Sequence, residues 1–168
     1  MAREAGFSNI NIDLMFAIPG QSYEGWIQNL RTVAKLGPEH ISAYSLIIEE
    51  GTPFSARKLD LPDEDTEYRM YEDVAAVLGK YGYYQYEISN YAKKDRNCRH
   101  NEGYWQRKDY LGLGLGAASL VGRERFTNTS DMSEYLEKQR KSGKKLRTDR
   151  ETLTREDEMG EFMFLDFA

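Results

Sequence analysis

Cysteine is almost absent from this sequence, and its scarcity limits the chemistry that the chain can perform. Cys98 is the only cysteine among 168 residues, so no disulfide bond can form within the chain. A single thiol also cannot hold an iron–sulfur cluster, which typically needs three or four thiolates. Any such cluster would have to take its ligands from outside this chain.

Long hydrophobic runs and an excess of positive charge are also missing. No apolar run approaches the length that crosses a membrane, and no signal peptide opens the chain, so we expect a cytoplasmic location. The net charge of −5 argues against nonspecific binding to nucleic acid or to an anionic membrane. Hydrophobic residues make up 40% and charged residues 30% of the sequence, which predicts a soluble globular protein.

The segment from Asn9 to Gln21 is the most informative part of the sequence. Its first half alternates apolar and polar side chains, which is the period of a strand with one apolar and one polar face. Pro19 and Gly20 end this strand, and Ser22 is placed to cap a helix. We expect Asp13 to lie near the C-terminal end of the strand, where the active-site residues of α/β barrels lie. Because the chain begins on this strand, we expect part of an enzyme rather than a whole one.

Strand and helix signals alternate along the rest of the chain. Helices are predicted from Ser22 to Leu36, between the Asp63 cap and Gly82, from Ser130 or Asp131 to about Arg140, and from Thr154 onward. Strands are predicted at 41–48, 83–91, 110–121 and 125–128. This order predicts an α/β fold with parallel strands, right-handed crossovers and outer helices, either half of a barrel or an open sheet.

The basic segment from Lys141 to Arg150 predicts a solvated linker. We place this linker at residues 143–153, between a half-barrel at 1–142 and a final helix at 154–168. The end of that helix is apolar from Phe162 onward, and such a helix needs a partner. A second domain that has been cut off would cover it, and so would a dimer contact.

Two carboxylates are candidate site residues on the predicted strands. Asp13 and Asn11 point to the same side of the first strand, and a buried carboxylate there must be hydrogen-bonded or paired. The hydroxyls of a bound ribose would serve as partners, and so would the loop at Pro19, which would make Asp13 structural. Glu87 would either project into the same cavity or act as a cross-strand structural carboxylate.

Glycine alternates with leucine from Leu111 to Gly116. On a strand the three glycines share one face, which a ligand, a helix or another backbone segment can approach closely. A cofactor ring and tight packing within the protein are equally good interpretations. The spacing is not that of a dinucleotide-binding loop.

The segment Cys98–Trp105 combines a thiol, an imidazole and two aromatic rings. His100 would ligate a metal or a haem iron, with Tyr104 and Trp105 packing on a flat ring. The alternative is that His100 is only a hydrogen-bonding residue. Cys98 and His100 do not make a convincing nucleophile pair, because no orienting acid is evident beside them.

Ordered sequence blocks resemble the oxygen-independent coproporphyrinogen III oxidase-like group of radical S-adenosylmethionine (SAM) proteins. They extend over most of the chain, from about Gly6 to Thr148. The Arg99–Trp105 block is more similar to the haem chaperone branch of this group than to the true decarboxylase. The blocks are Asn11–Gln21, His40–Leu46 with Glu50–Pro53, Tyr86–Ala92, Arg99–Trp105 and Asp109–Gly114.

The resemblance implies a fold, cofactors and site residues. The chain would be the C-terminal half of a radical SAM partial (β/α) barrel, followed by the start of a truncated helical domain. Asp13, Ile47 and Ala118 would contact SAM, and haem would bind near His100, Tyr104 and Trp105 for transfer into apo-haemoproteins. The [4Fe–4S] cluster that the family uses would have its ligands outside this chain.

Some features depart from the family's pattern. Ala17 stands where the family usually has glycine, and Ala118 stands where the chaperone branch commonly has histidine. The family's cysteine triad and glycine-rich SAM loop would lie upstream of this segment. We therefore expect the chain alone to be inactive in radical chemistry, although the parent protein would resemble a radical SAM oxidoreductase.

Several functions remain open at this point. The resemblance favours a haem chaperone, with a true coproporphyrinogen III oxidase or a noncatalytic haem-binding module as alternatives. An unrelated half-barrel that binds phosphate or sugar through the glycine segment is a further hypothesis. The partners expected are haem or porphyrin, an apo-haemoprotein acceptor, a membrane-surface acceptor for the parent, and a second copy at the open barrel edge.

Overall fold

A computed structural model describes residues 1–139 and 147–166 of the chain. The chain divides into two compact units, Met1–Cys98 (unit 1) and Arg99–Ala168 (unit 2). Each unit has its own β-sheet, so the two are described separately. None of the helices in the described ranges is both long and apolar enough to cross a membrane.

Unit 1 is built on a four-stranded sheet in the order β1-β2-β4-β3. The first two strands, β1 (Asn11–Phe16) and β2 (His40–Ser45), are parallel and are connected through helix α1 (Tyr23–Leu36). The other two, β3 (Tyr84–Gln85) and β4 (Asn90–Ala92), pair antiparallel with each other, and β4 also runs antiparallel to β2. The sheet is therefore mixed, with a single β-α-β crossover.

Helix α1 begins and ends at the residues that the sequence predicted. The Ser22 side chain accepts a hydrogen bond of 3.1 Å from the Gly25 N–H, which satisfies one of the free amides of the first turn. Gly37 ends the helix in the left-handed conformation at φ 70°, which glycine adopts without strain. Between these caps, Trp26 and Leu30 are fully buried. These residues lie on the face of α1 that packs into the core.

Helix α2 (Glu64–Gly79) packs against α1. The Asp63 side chain caps it by accepting a 2.7 Å hydrogen bond from the Thr66 N–H, as the sequence predicted. The indole N–H of Trp26 donates to the Met70 carbonyl at 2.9 Å, so the largest buried side chain of α1 is also satisfied as a donor. The fully buried residues of this core include Trp26, Leu30, Ile41, Met70, Val74, Leu78 and Tyr91.

The prediction of one continuous parallel strand at 83–91 is wrong. The segment forms the short strands β3 and β4 with a bend between them, and both strands pair antiparallel. The bend is closed locally, because the Glu87 carboxylate accepts a 2.9 Å hydrogen bond from the Ser89 N–H and the Tyr86 N–H donates to the Asn90 carbonyl at 3.1 Å. Such local bonds compete with an extended ladder, and strand alternation alone does not reveal them.

Unit 2 contains a three-stranded antiparallel sheet in the order β5-β6-β7. Among the residues of unit 2 that the structure describes, the buried apolar ones are few, namely Leu120, Phe126 and Leu153. The strand predicted at 110–121 is found only at its end, and Tyr110 makes an isolated bridge to Leu120. The elements are α3 (Arg99–Trp105), β5 (Ala118–Val121), β6 (Glu124–Asn128), α4 (Met132–Gln139), β7 (Arg147–Thr152) and α5 (Arg155–Asp166).

Part of the predicted linker at 143–153 is a strand. Residues 147–152 form β7 and pair with β6, whereas 140–146 lie outside the described residues. All but one of the β7 side chains are exposed. The strand is therefore polar in sequence, and its composition is the same as that of a solvated linker. The start of the last helix is confirmed, since Thr154 caps α5 by accepting a 3.1 Å hydrogen bond from the Asp157 N–H. The division of the chain at residues 142 and 153 stays a prediction.

Candidate functional site

The polar face of the unit 1 sheet brings together the side chains of its parallel strands. The register pairs Asn11 with His40 and Asp13 with Ser42. Because strand side chains alternate between faces, these four side chains lie on the face opposite Ile12 and Ile41. The expectation that Asn11 and Asp13 share one side is confirmed by their hydrogen bond of 2.5 Å between Nδ2 and Oδ1.

A chain of hydrogen bonds crosses this face. Asn11 Oδ1 lies 2.7 Å from His40 Nδ1, and His40 Nε2 lies 2.7 Å from the Tyr86 hydroxyl. The Tyr86 hydroxyl also accepts a 3.2 Å hydrogen bond from the backbone N–H of Cys98. We call Asp13, Asn11, His40 and Tyr86 the polar relay.

The protonation of His40 follows from its partners and its burial. An amide oxygen can only accept, so Nδ1 carries the proton and Nε2 accepts from Tyr86. Burial lowers the pKa of His40 from its usual value of 6.5, although the negative charges of Asp13 and Glu87 act in the opposite direction. The imidazole is 5% exposed and is neutral at pH 7.

The open part of this face fits a ligand that carries hydroxyls. Asp13 is exposed, so its carboxylate can accept from groups outside the chain. Asn90 pairs with Ser42 in the neighbouring strand and is 9% exposed, yet its Oδ1 has no hydrogen-bond partner. Orphaned buried acceptors of this kind are uncommon and costly. The exposed Asp13 carboxylate is a suitable acceptor for the diol of a ribose, whereas the Asn90 amide oxygen is buried.

The other two residues predicted to contact SAM are placed in different units. Ile47 follows β2 and is 73% exposed, and its loop is held beside the end of β1 by the Leu46 N–H, which donates to the Phe16 carbonyl at 2.9 Å. Ile47 thus lies beyond the C-terminal ends of the parallel pair. Asp13 is the third of the six residues of β1, so the prediction that it lies near the C-terminal end of its strand is wrong. Ala118 is the first residue of β5 in unit 2 and is exposed. A SAM contact remains a prediction for all three residues.

In unit 2, His100 and Tyr104 lie on the same face of α3. Their rings meet edge to face at 4.7 Å, and Tyr104 makes a second contact of this kind with Tyr110 at 4.7 Å. A shallow cavity of about 160 Å³ lies beside them, and Arg99 and Lys108 also line it. Trp105 comes one position later and points away from this face by the pitch of a helix. The structure therefore joins His100 with Tyr104 and places Trp105 apart.

The glycine segment packs against the protein's own backbone. A Cβ on Gly112 would lie 2.1 Å from the Ala118 carbonyl oxygen, so no side chain fits there. The Asn128 side chain donates to the carbonyls of Gly112 and Gly114 at 3.3 and 2.8 Å. The segment is a turn rather than a strand, and the leucines at 111, 113 and 115 are exposed. The packing interpretation is favoured at Gly112, and the predicted shared strand face is wrong.

The described residues offer no cluster of metal-ligating side chains. Within residues 1–139 and 147–166, no group of three or more His, Cys, Asp or Glu side chains could hold a metal ion. Cys98 is half-buried and lies next to the polar relay only through its backbone.

Sequence reasoning missed His40 and Tyr86 as members of the site. The signal for His40 was present, because His40 and Ser42 alternate with apolar Ile41 and Ala43. Parallel pairing of that strand with β1 would have aligned its polar side with Asn11 and Asp13. Tyr86 had no such signal, since it reaches His40 from a bend outside the regular strands.

Comparison with known proteins gives relatives of a consistent kind. The chain is 39% identical to the heme chaperone HemW of Bacillus subtilis (strain 168) in an alignment that covers 98% of this chain and 44% of that protein. It is 42% identical to HemW of Haemophilus influenzae over 81% of this chain and 37% of that protein. It is 41% identical to HemW of Escherichia coli (strain K12) over 72% of this chain and 32% of that protein. No family model matches the chain.

A solved structure also resembles the chain. The coproporphyrinogen III oxidase HemN from Escherichia coli, described as a radical SAM enzyme, superimposes with a TM-score of 0.82 at 23% identity. The superposition covers 99% of this chain and 42% of that one. At this identity the likeness establishes the fold and nothing finer.

The fold and the sequence relatives of this chain agree with each other. The chain has the mixed α/β fold of a radical SAM protein. It is homologous to the heme chaperone HemW proteins, which confirms the resemblance drawn from the sequence blocks. The chain spans less than half the length of these relatives.

Proposed function

We propose that this chain is part of a radical SAM protein that binds haem and delivers it to apo-proteins. The observation that carries the proposal is the 39% identity with the Bacillus subtilis heme chaperone HemW over nearly the whole chain. In this proposal unit 1 contributes to the SAM site and unit 2 contributes to the haem site. The chain supplies part of each site, as the C-terminal half of a partial barrel.

The proposed SAM site uses the polar face and the strand ends of unit 1. The Asp13 carboxylate accepts hydrogen bonds from the ribose hydroxyls, and Ile47 offers an exposed apolar side chain for the adenine. A [4Fe–4S] cluster, with ligands from outside this chain because the chain has one cysteine, would supply the electron that cleaves SAM to methionine and a 5′-deoxyadenosyl radical.

The proposed haem site uses α3 of unit 2. The exposed imidazole of His100 ligates the haem iron, and Tyr104, which contacts His100 at 4.7 Å, packs against the porphyrin, whereas Trp105 points away from this face of α3. The cationic side chains of Arg99 and Lys108 line the same cavity and pair with the propionates. The cavity is too shallow to enclose a porphyrin, so the site is open, as a transfer protein requires.

The acceptor of the haem, the location of the protein and its self-association are parts of the same proposal. An apo-haemoprotein receives the haem, either free or at a membrane surface, and the cytoplasm is the expected location. A second copy of the chain would pair at the open barrel edge. The decarboxylase alternative draws on the HemN likeness, which at 23% identity concerns the fold and gives that alternative no separate support.

The haem part is tested by titrating the chain with hemin and following the Soret band. We expect His100→Ala to lose the band shift of an imidazole-ligated haem, whereas Gln106→Ala, an exposed neighbour just beyond α3, keeps it. An identical Soret response in His100→Ala and in the unchanged chain would exclude His100 as the ligand.

The SAM part is tested by calorimetry of the chain with SAM and, separately, with sugar phosphates. We expect SAM to bind and Asp13→Asn to weaken its binding, because the ribose hydroxyls lose a charged acceptor. Binding of sugar phosphates in preference to SAM would instead favour the unrelated half-barrel.

A further inference from the structure

We propose that His40 and Asn11 are positioning residues, which orient the Asp13 carboxylate for a ribose diol through the polar relay. This inference rests on the proposed SAM site and adds to it the residues that hold its carboxylate. His40 and Asn11 themselves need not touch the ligand. Their effect would pass through Asp13.

Asp13 needs such support because it is an exposed side chain on a strand of the sheet. An exposed carboxylate samples several rotamers, and a ligand that fixes one of them pays in side-chain entropy. The 2.5 Å hydrogen bond from Asn11 Nδ2 to Asp13 Oδ1 holds one oxygen in place before the ligand arrives. The second oxygen, Oδ2, then takes up the ribose hydroxyl.

Asn11 can do this only if its amide has one orientation. An amide presents a donor on one side and an acceptor on the other, and a flipped Asn11 would direct its oxygen against the carboxylate. The Nδ1–H of His40 donates to Asn11 Oδ1 at 2.7 Å. This bond fixes the oxygen toward His40 and the NH₂ group toward Asp13.

The orientation of His40 is fixed in turn from its other side. The Tyr86 hydroxyl donates to Nε2 at 2.7 Å, and the Cys98 backbone N–H donates to that hydroxyl at 3.2 Å. All four donors, from Cys98 through Tyr86, His40 and Asn11, therefore point toward Asp13. A series of hydrogen bonds with one direction strengthens each member, and this series ends at a negative charge.

Protonation of His40 would reverse one step of this series. Charged His40 would donate from Nε2, so the Tyr86 hydroxyl could no longer donate to it. Burial lowers the pKa of His40, and Asp13 on β1 and Glu87 in the β3–β4 bend are the charged groups that oppose this. The relay is therefore intact at pH 7, and SAM affinity should fall only as the pH drops through the lowered pKa of His40, which lies below the usual value of 6.5.

The test is a double-mutant cycle of SAM affinity on the whole chain, measured by calorimetry. We expect His40→Ala to weaken SAM binding about tenfold, which corresponds to about 1.4 kcal/mol, and His40→Gln to restore part of it, because a glutamine amide can still donate to Asn11. In the Asp13→Asn background, His40→Ala should cost nothing further. Equal losses in both backgrounds would assign His40 a merely structural role and overturn the inference.

A matched pair of tyrosine variants tests the far end of the relay. Tyr86→Phe removes the donor to His40 and should weaken SAM binding and flatten its pH dependence. Tyr84→Phe removes an exposed hydroxyl from the same hairpin, one that donates to Asn97 Oδ1, and should leave the affinity unchanged. Equal effects of the two variants would contradict the relay.

A ligand-free measurement separates failure of the relay from failure of the proposed function. The chain has two histidines, so the ¹⁵N signals of His40 can be assigned from the spectrum of His40→Ala. We expect a neutral ring with the proton on Nδ1 at pH 7, and any other state overturns the relay. A chain that shows this tautomer but does not bind SAM, or binds it equally well as Asp13→Asn, would instead overturn the proposed function.

Discussion

The two units of this chain are stabilised in different ways. Unit 1 has a continuous apolar core in which two helices cover a sheet, and side chains such as Trp26, Leu30 and Met70 are completely buried. The described part of unit 2 buries few apolar side chains, and its last helix is held to the sheet region by ion pairs. Glu161 on α5 accepts from Arg125 and, at 2.7 Å, from Arg107.

The two units therefore show, within one chain, stabilisation by apolar burial and stabilisation by ion pairs. Burial in unit 1 is non-directional and follows from hydrophobic periodicity. The Arg107–Glu161–Arg125 cluster of unit 2 is directional and joins residues far apart in the sequence. We therefore expect unit 1 to be sensitive to side-chain volume and unit 2 to be sensitive to pH and salt.

The largest effect is expected from a cavity in unit 1. Leu30→Ala should lower the free energy of unfolding by about 2–5 kcal/mol, because it removes packed methyl groups and leaves a cavity. Leu36→Ala on the same helix is the matched control, since Leu36 is 70% exposed. Urea unfolding followed by Trp26 fluorescence in a Trp105→Phe background would measure both, and equal effects of the two variants would contradict the buried position of Leu30.

The next effect is expected from the ion-pair cluster of unit 2. Glu161→Gln should cost about 1–3 kcal/mol, because two arginines lose a charged acceptor. Glu151→Gln is the matched control, since Glu151 is 55% exposed and lies 3.6 Å from Arg125. Thermal unfolding at low and high salt would compare them, and a Glu161→Gln variant as stable as Glu151→Gln would show that the cluster adds nothing.

The same cluster predicts a pH dependence. Burial pushes the pKa of Glu161 upward, but the hydrogen bonds from Arg125 and Arg107 outweigh it, so the pKa lies below its usual value of 4.5. A carboxyl whose pKa is lowered on folding stabilises the fold above its unfolded pKa and loses that contribution as the pH falls. The stability difference between the unchanged chain and Glu161→Gln should therefore shrink below pH 4.5, as seen in unfolding curves collected from pH 7 downward.

A smaller effect, of opposite sign, is expected at the end of β1. Ala17 is buried and has φ +56°, a conformation that costs an alanine about 1–2 kcal/mol. Ala17→Gly should therefore raise the free energy of unfolding by up to about 1 kcal/mol, after the loss of a buried methyl group. Ala34→Gly within α1 is the matched control and should lower it by about 1 kcal/mol or more. A loss of stability in both variants would exclude strain at Ala17.

The same contrast explains how much of the fold could be predicted. Both helices of unit 1 and their caps at Ser22 and Asp63 follow from local rules and were predicted. The antiparallel return of β3 and β4 depends on the bond between Glu87 and Ser89, and β7 depends on pairing with a distant strand. Neither local propensity nor alternation encodes such contacts.

In the candidate site, too, the features set by local sequence were predicted and those set by contacts with distant segments were not. Asp13 and Asn11 were predicted to share a face because strand alternation is local. His40 joins them only through the register of β1 with β2, and Tyr86 only through the bend after β3. In unit 2, the contact of His100 with Tyr104 follows from helical spacing, whereas the packing of Gly112 on Ala118 does not.

The smallest effect is expected where unit 1 has an ion pair of its own. Arg3 donates to both oxygens of Glu39 at 2.6 and 2.7 Å. The Glu39 side chain is 14% exposed, but the Arg3 side chain is 44% exposed, and a pair with an exposed partner contributes about 0–1 kcal/mol. Arg3→Gln should therefore change the free energy of unfolding by about 0.5 kcal/mol, measured by urea unfolding at low and high salt. A loss as large as that of Glu161→Gln would mean that charge supports both units equally, and the contrast between a core held by burial and a helix held by ion pairs would no longer stand.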